Sequence, residues 1–209
     1  MRIRPITPEL LVEELAERLA GERPEQRLRV AVDGAPAAVP ERLAEALVDP
    51  LRTRGRPAVP ISARGFLRPA SLRYEFGRSN ADAFYGGWLD ETGLRREVLD
   101  PAGPGGTGRI LPSLWNADTE RASRADYITL PPAAVVLVSG PLLLGGALPF
   151  DVLVHLVLSP GALARRTSPE DAWTLPAFTR YDEEVAPALF ADVVVRLDDP
   201  RHPAVVEER

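Results

Sequence analysis

The chain has 209 residues, 45% hydrophobic and 26% charged, a length that suits one globular domain burying roughly 70% of its unfolded surface. It carries 25 arginines, no lysine, no cysteine and two histidines, which excludes disulfides, thiol nucleophiles, Cys-ligated metals, lysine Schiff bases, a lysine-based phosphate cradle and a three-His metal site within the chain. A formal charge of −5 argues against general nucleic-acid binding, no apolar run is long enough for a membrane span, and the start MRIRPITPEL lacks an apolar signal core; the expected location is the cytoplasm, with neither nucleic acid nor membrane as partner.

Thr7-Pro8-Glu9 opens a helix, with Leu10, Leu11, Leu15 and Leu19 at helical spacing and Gly21 as its stop. Arg27 to Asp33 (RLRVAVD) reads as a buried strand followed at once by Gly34. Pro40 to Arg54 reads as a helix kinked or ended near Pro50, and Ala58 to Ser62 as a second strand. Residues 63–88 are irregular and rich in arginine and aromatics. A helix from about Glu91 to Leu99 precedes a Pro/Gly turn, Asp100 to Gly108. Ile110 to Trp115 and Asp126 to Leu130 suit an antiparallel pair. The apolar runs Ala133 to Val138 and Val152 to Leu158 read as central parallel strands. Gly161 to Arg166 and Pro176 to Leu189 read as helices, and Ala191 to Leu197 as a last strand. The alternation predicts an α/β fold with ligands bound beyond the carboxyl ends of the strands.

The order of these segments resembles the uridine kinase-like branch of the P-loop kinases across most of residues 27–203. RVAVDG resembles the first strand and phosphate loop, and ISARGFLRP (61–69) the second strand with its S-x-D-D-F-x-R-P segment. FYGGWLDETGLRREVLDPAGPGG (84–106) resembles the nucleoside-side helix, VVLVSGPLLL (135–144) the Walker-B-like strand, and ADVVVRLDDPRHP (191–203) the closing strand. The resemblance implies a P-loop-kinase-like parallel sheet of about five strands flanked by helices, with a small lobe and lid. It divides the chain into an N-terminal helix (1–26), a single domain (27–203) and a tail (204–209). Within the domain, 63–132 form an acceptor-side lobe and 159–180 a reduced lid.

Against that family, three chemical parts differ. The loop G-x-x-x-x-G-K-[ST] uses glycines to wrap phosphate, a lysine on the β/γ oxygens and a hydroxyl on Mg²⁺. Here Gly34 fits the first glycine, but Val39, Pro40 and Glu41 stand at the next three key positions. Arg64-Gly65 replaces the paired acids, and an always-protonated arginine cannot act as the base. Ser139 replaces the acid after the Walker-B-like strand.

Candidate site residues follow from the same frame. Asp33 and Asp118 are the catalytic candidates, Asp33 because it closes the first strand towards the crevice; Glu41 or His155 would also supply acid–base work if the crevice has been recruited to other chemistry. Gly34, Arg64, Arg68, Tyr85, Asn116, Ser139, Arg165, Arg166 and Arg180 are the ligand-binding candidates. Plainer readings stand beside these: Asx turns for Asp33, Asn116 and Asp118, ion pairs with acids such as Glu75 and Asp82 for the cluster Arg64, Arg68 and Arg73, and plain solvation for the lid arginines. The aromatics Tyr74, Phe76, Phe84, Tyr85 and Trp88 suit either a ring-shaped ligand or lobe packing. His155 reads as a satisfied core histidine and His202 as solvated. No metal site and no cofactor are expected.

The functional expectation is a uridine kinase-like protein without ATP-dependent phosphoryl transfer, its crevice binding an anionic or ring-containing small molecule or a protein partner, with homodimer formation open. One alternative is a kinase fold recruited for non-phosphoryl chemistry in a biosynthetic pathway. Another is an atypical nucleoside kinase.

Overall fold

The protein is described by a computed structural model covering residues 2–207. In chain order the elements are β1 (Arg2–Pro5), α1 (Pro8–Gly21), β2 (Leu28–Gly34), α2 (Pro40–Ala46), α3 (Val48–Thr53), β3 (Ala58–Ser62), α4 (Ala70–Arg73), α5 (Ala81–Gly87), α6 (Glu91–Leu94), α7 (Asp100–Ala102), β4 (Arg109–Ile110), β5 (Trp115–Asn116), β6 (Arg121–Ala122), β7 (Ile128–Thr129), β8 (Val135–Gly140), β9 (Val152–Val157), α8 (Pro160–Arg166), α9 (Leu175–Glu184), β10 (Val193–Arg196) and β11 (Ala204–Glu207). The start of α1 forms as the sequence predicts: Pro8 occupies the first turn and the Thr7 hydroxyl accepts the Leu10 N–H at 3.2 Å. Leu11, Leu15 and Leu19 face inward, whereas Leu10 is 48% exposed.

Among the described residues, seven strands form one sheet in the order β1-β11-β10-β9-β2-β8-β3. The five strands from β10 to β3 are mutually parallel; β11 runs antiparallel to β10, and β1 antiparallel to β11. Both faces of the parallel strands are covered. Leu28, Val30 and Val32 of β2 join Val135 and Leu137 of β8 in a cluster with Leu15, Leu19, Leu47 and Leu51. Their alternates Ala31, Val136 and Val138 join Phe66, Leu94, Val98 and Ile110 on the other face. This period-two division is why the strands read as continuous apolar runs.

Several local expectations are corrected. The helix over 40–54 breaks at Leu47 rather than Pro50. A π-turn over Arg95–Leu99 joins α6 to α7, so residues 100–102 of the expected turn belong to the helical stretch. The expected pair 110–115 and 126–130 shrinks to two-residue strands, β4 with β7, while β5 pairs with β6. The last helix stops at Glu184. Residues 2–5 and 204–207, expected outside the folded domain's strands, pair with each other through register Arg2↔Glu207 to Pro5↔Ala204. No helix among the described residues is long and apolar enough to cross a membrane.

Two arginines fasten the amino-terminal end of the sheet. Arg56 is 3% exposed, and its guanidinium donates to the carbonyls of Ala20, Glu22, Gln26 and Ala133 at 2.7–3.1 Å. Arg29 donates Nε and a terminal nitrogen to the Asp151 carboxylate at 2.8 and 3.0 Å, which also accepts the Arg29 backbone N–H at 2.9 Å. Burial alone would raise the Asp151 carboxyl, but these bonds outweigh it and hold the group below its usual value. The ionised form is therefore favoured by folding, and its stabilisation is present above the unfolded carboxyl's pKa and lost as pH falls through the lowered one. Asp151→Ala should destabilise the protein by about 3 kcal/mol near neutral pH, because it strands a buried guanidinium. Denaturant titrations should show that difference shrinking below about pH 4; a pH-independent difference would contradict the assignment.

Candidate active site

β2 delivers Asp33 to the carboxyl edge of the sheet, where the side chain is wholly buried. The parallel register sets Asp33 beside His155 of β9, and His155 Nδ1 lies 2.6 Å from Asp33 Oδ2. The Tyr181 hydroxyl of α9 donates to the same oxygen at 3.1 Å and accepts the Leu144 N–H at 2.9 Å. Asp33 Oδ1 accepts the Leu143 N–H at 2.9 Å. Burial, and then the Asp33 charge, push the Tyr181 phenol far above its ordinary pKa, so it stays a donor. A small cavity of about 30 Å³, large enough for water, borders this trio.

The segment after Asp33 turns sharply. Gly34 is required by close approach: a Cβ there would meet the Leu156 Cβ at 2.9 Å. A 3₁₀ turn over Pro36–Ala38 leads to Val39, whose φ of 53° and ψ of 58° are left-handed, and Pro40 then opens α2. Pro36 and Pro40 carry no N–H, and the amides of Ala38 and Val39 are spent inside the turn on the Ala35 and Pro36 carbonyls at 2.7 and 3.0 Å. Glu41 lies in the first turn of α2.

Beyond these elements a crevice of about 470 Å³ lies between this loop, the 63–67 turn, α5, the loop after β8 and the segment from Arg166 to Phe178. Its walls are aromatic. Phe84 meets Trp88, Trp173 and Phe178 edge-on at 5.2, 5.7 and 5.8 Å between ring centres, and Trp88 meets Trp173 at 5.5 Å. Charge also joins α9 to α5. Arg180 contacts Glu184 at 2.8 Å and Asp82 at 3.2 Å and lies 4.4 Å from the Tyr85 ring centre, while the Tyr85 hydroxyl donates to Glu184 at 3.1 Å. Burial and the Glu184 bond raise the Tyr85 phenol.

Of the residues singled out in the sequence, Arg64, Tyr85 and Arg166 line the crevice together. Arg64 is paired with Asp118, and Arg166 donates to the Leu197 carbonyl at 2.7 Å. Asp33 does not face the crevice as expected: His155, Tyr181 and the 142–144 loop bond to it and cover it. Asp118 sits in the exposed β5–β6 turn, where Asn116 accepts the N–H groups of Asp118 and Thr119 at 3.0 Å. Arg68 and Arg165 are exposed, and Arg180 is taken up by the contact of α9 with α5. Ser139 is buried in β8, in register between Val32 and Ser62. Among the expected aromatics, Phe84, Tyr85 and Trp88 line the crevice, Tyr74 packs on Trp88 at 5.6 Å, and Phe76 is 71% exposed.

Trp173, Phe178, Glu91 and Asp171 also line the crevice and were missed by the sequence reading. The signal for the first two is a tryptophan and a phenylalanine, the two aromatics of the segment TSPEDAWTLPAF. The partners of Asp33 could be sought from one rule, that a histidine inside VLVHLVL needs a buried acceptor. Among the described residues no group of three or more His, Asp or Glu side chains is arranged to hold a metal ion. A β-branched residue in left-handed backbone is strained by about 1–2 kcal/mol, and Val39 is 46% exposed, so little packing opposes its removal. Val39→Gly should therefore raise stability by about 1 kcal/mol in thermal unfolding; a loss of stability would contradict the strained backbone.

No family model matches the chain, and no curated protein is detectably similar to it. Solved structures do match. One, from Bacillus stearothermophilus and named a possible uridine kinase, shares 18% identity over 88% of this chain and 96% of its own, with a TM-score of 0.71. Another, a candidate fructose transport system kinase from Silicibacter sp. TM1040, shares 23% identity over 90% of both chains, with a TM-score of 0.57. With its mostly parallel sheet flanked by helices, the chain has the fold of these P-loop kinase structures.

Proposed function

We propose that this protein is a uridine kinase-like protein that does not transfer phosphoryl groups from ATP, and that its crevice binds a ring-containing small molecule in the cytoplasm. The observation that carries the reading is the segment Val39-Pro40-Glu41 at the turn from loop to helix. Phosphoryl transfer in this fold depends on free backbone N–H groups, a lysine and a magnesium-binding hydroxyl at the loop. Here two residues of the turn are prolines, two amides are bonded internally, and an acid stands in the first turn of the helix. That acid complements the positive helix end which a phosphate would otherwise occupy. Arg64 at the position of the base and Ser139 at that of the Walker-B-like acid support the same reading.

The aromatic walls favour a ring over a small anion. The guanidiniums of Arg64 and Arg166 are already engaged, and Arg68, Arg165 and Arg180 do not line the crevice. Calorimetric titration with Mg·ATP should give no binding heat at millimolar nucleotide. Micromolar affinity would overturn the proposal.

A further inference from the structure

The same crevice carries a charge pattern that narrows its ligand further. Three carboxylates line it: Glu41 from α2, Glu91 from α6 and Asp171 from the 166–178 segment. Glu41 and Glu91 have no hydrogen-bonded or ion-paired partner among the described residues, and Asp171 accepts only the Ser168 hydroxyl at 2.8 Å apart from its backbone contacts. Against them stand two arginines. Arg64 is neutralised by Asp118, and Arg166 is tied by one nitrogen to a carbonyl. Negative charge is therefore in excess around a cavity lined in part by five aromatic side chains. Part of that surface already attracts cations: the Arg73 guanidinium lies 5.0 Å from the Trp88 ring centre and Arg180 lies 4.4 Å from that of Tyr85.

Resting on the proposal that the crevice binds a ring-containing molecule, we infer that it selects a ring-bearing cation, an aromatic amine or amidine, over neutral and anionic rings. The ring packs among Phe84, Trp88, Trp173 and Phe178, and the ammonium group reaches the rim carboxylates. A nucleotide or other multiply charged anion is disfavoured by those same carboxylates.

Three probes of one shape test this: 2-naphthylmethylamine, 2-naphthylmethanol and 2-naphthoate, titrated into the full chain by calorimetry, with Trp fluorescence as a second readout. The amine should bind about tenfold more tightly than the alcohol, and the acid more weakly than the alcohol. Glu91→Gln, at an exposed position, should lower the amine's affinity while leaving that of the alcohol unchanged. Equal or tighter binding of the acid or alcohol would overturn the charge preference and leave the crevice as a ring site. Binding of none of the three would overturn the inference and the ring-binding reading together. Displacement of bound amine by Mg·ATP would instead overturn the proposed loss of nucleotide binding.

Discussion

The buried carboxylate of Asp33 is the constraint on which the upper face of the molecule depends. Removing a carboxylate from water costs several kcal/mol unless its oxygens are bonded. Here one oxygen takes a backbone N–H from the 142–144 loop, and the other takes His155 and Tyr181. These contacts bind β2 to three segments remote in sequence: the loop after β8, β9 and α9. Tyr181 fixes the register of α9, and α9 also carries Phe178 into the crevice and Arg180 into the contact with Asp82, Glu184 and Tyr85. The loop held by Leu143 and Leu144 supplies Pro141 and Leu142 to the wall. The shape of the crevice thus follows from satisfying one buried charge beneath it.

The loop after Asp33 separates backbone shape from side-chain chemistry. A strand, a tight turn with a left-handed residue at 39 and a helix starting at 40 form a frame that could wrap an anion. Two prolines and two internal amide bonds take away donors, and Glu41 adds a carboxylate to the crevice lining. Trp173 and Phe178 fold over α5 from the opposite side. Glu41 and these aromatic rings thus line one crevice.

The strands of the sheet were legible because parallel strands covered on both faces are apolar throughout, as in VVLVSG and VLVHLV. The order of segments carried the fold through its resemblance to the uridine kinase-like branch. The edge strand β1 and its neighbour β11 were not legible. Each has four residues, and their charged ends, Arg2 and Glu207, look like ordinary solvated termini until the two are paired. The contacts of Asp33 were hidden for another reason: His155 and Tyr181 lie 122 and 148 residues away, and only the sheet register and the placement of α9 join them. Arg64, Tyr85 and Arg166 come from three separate segments and line one crevice, whereas Arg68 and Arg165, singled out beside them in the sequence, do not line it. Arg180 and Asn116 satisfy acids or turns instead, as exposed arginines and Asx residues commonly do.

The central claim is that a kinase fold here has no phosphoryl-transfer chemistry. The most direct measurement incubates the full chain with γ-radiolabelled Mg·ATP and a panel of nucleosides and sugars, and follows the label into product. No transfer above the protein-free rate is predicted for any acceptor. Protein-dependent labelling of even one acceptor, abolished when the chain is denatured, would contradict it.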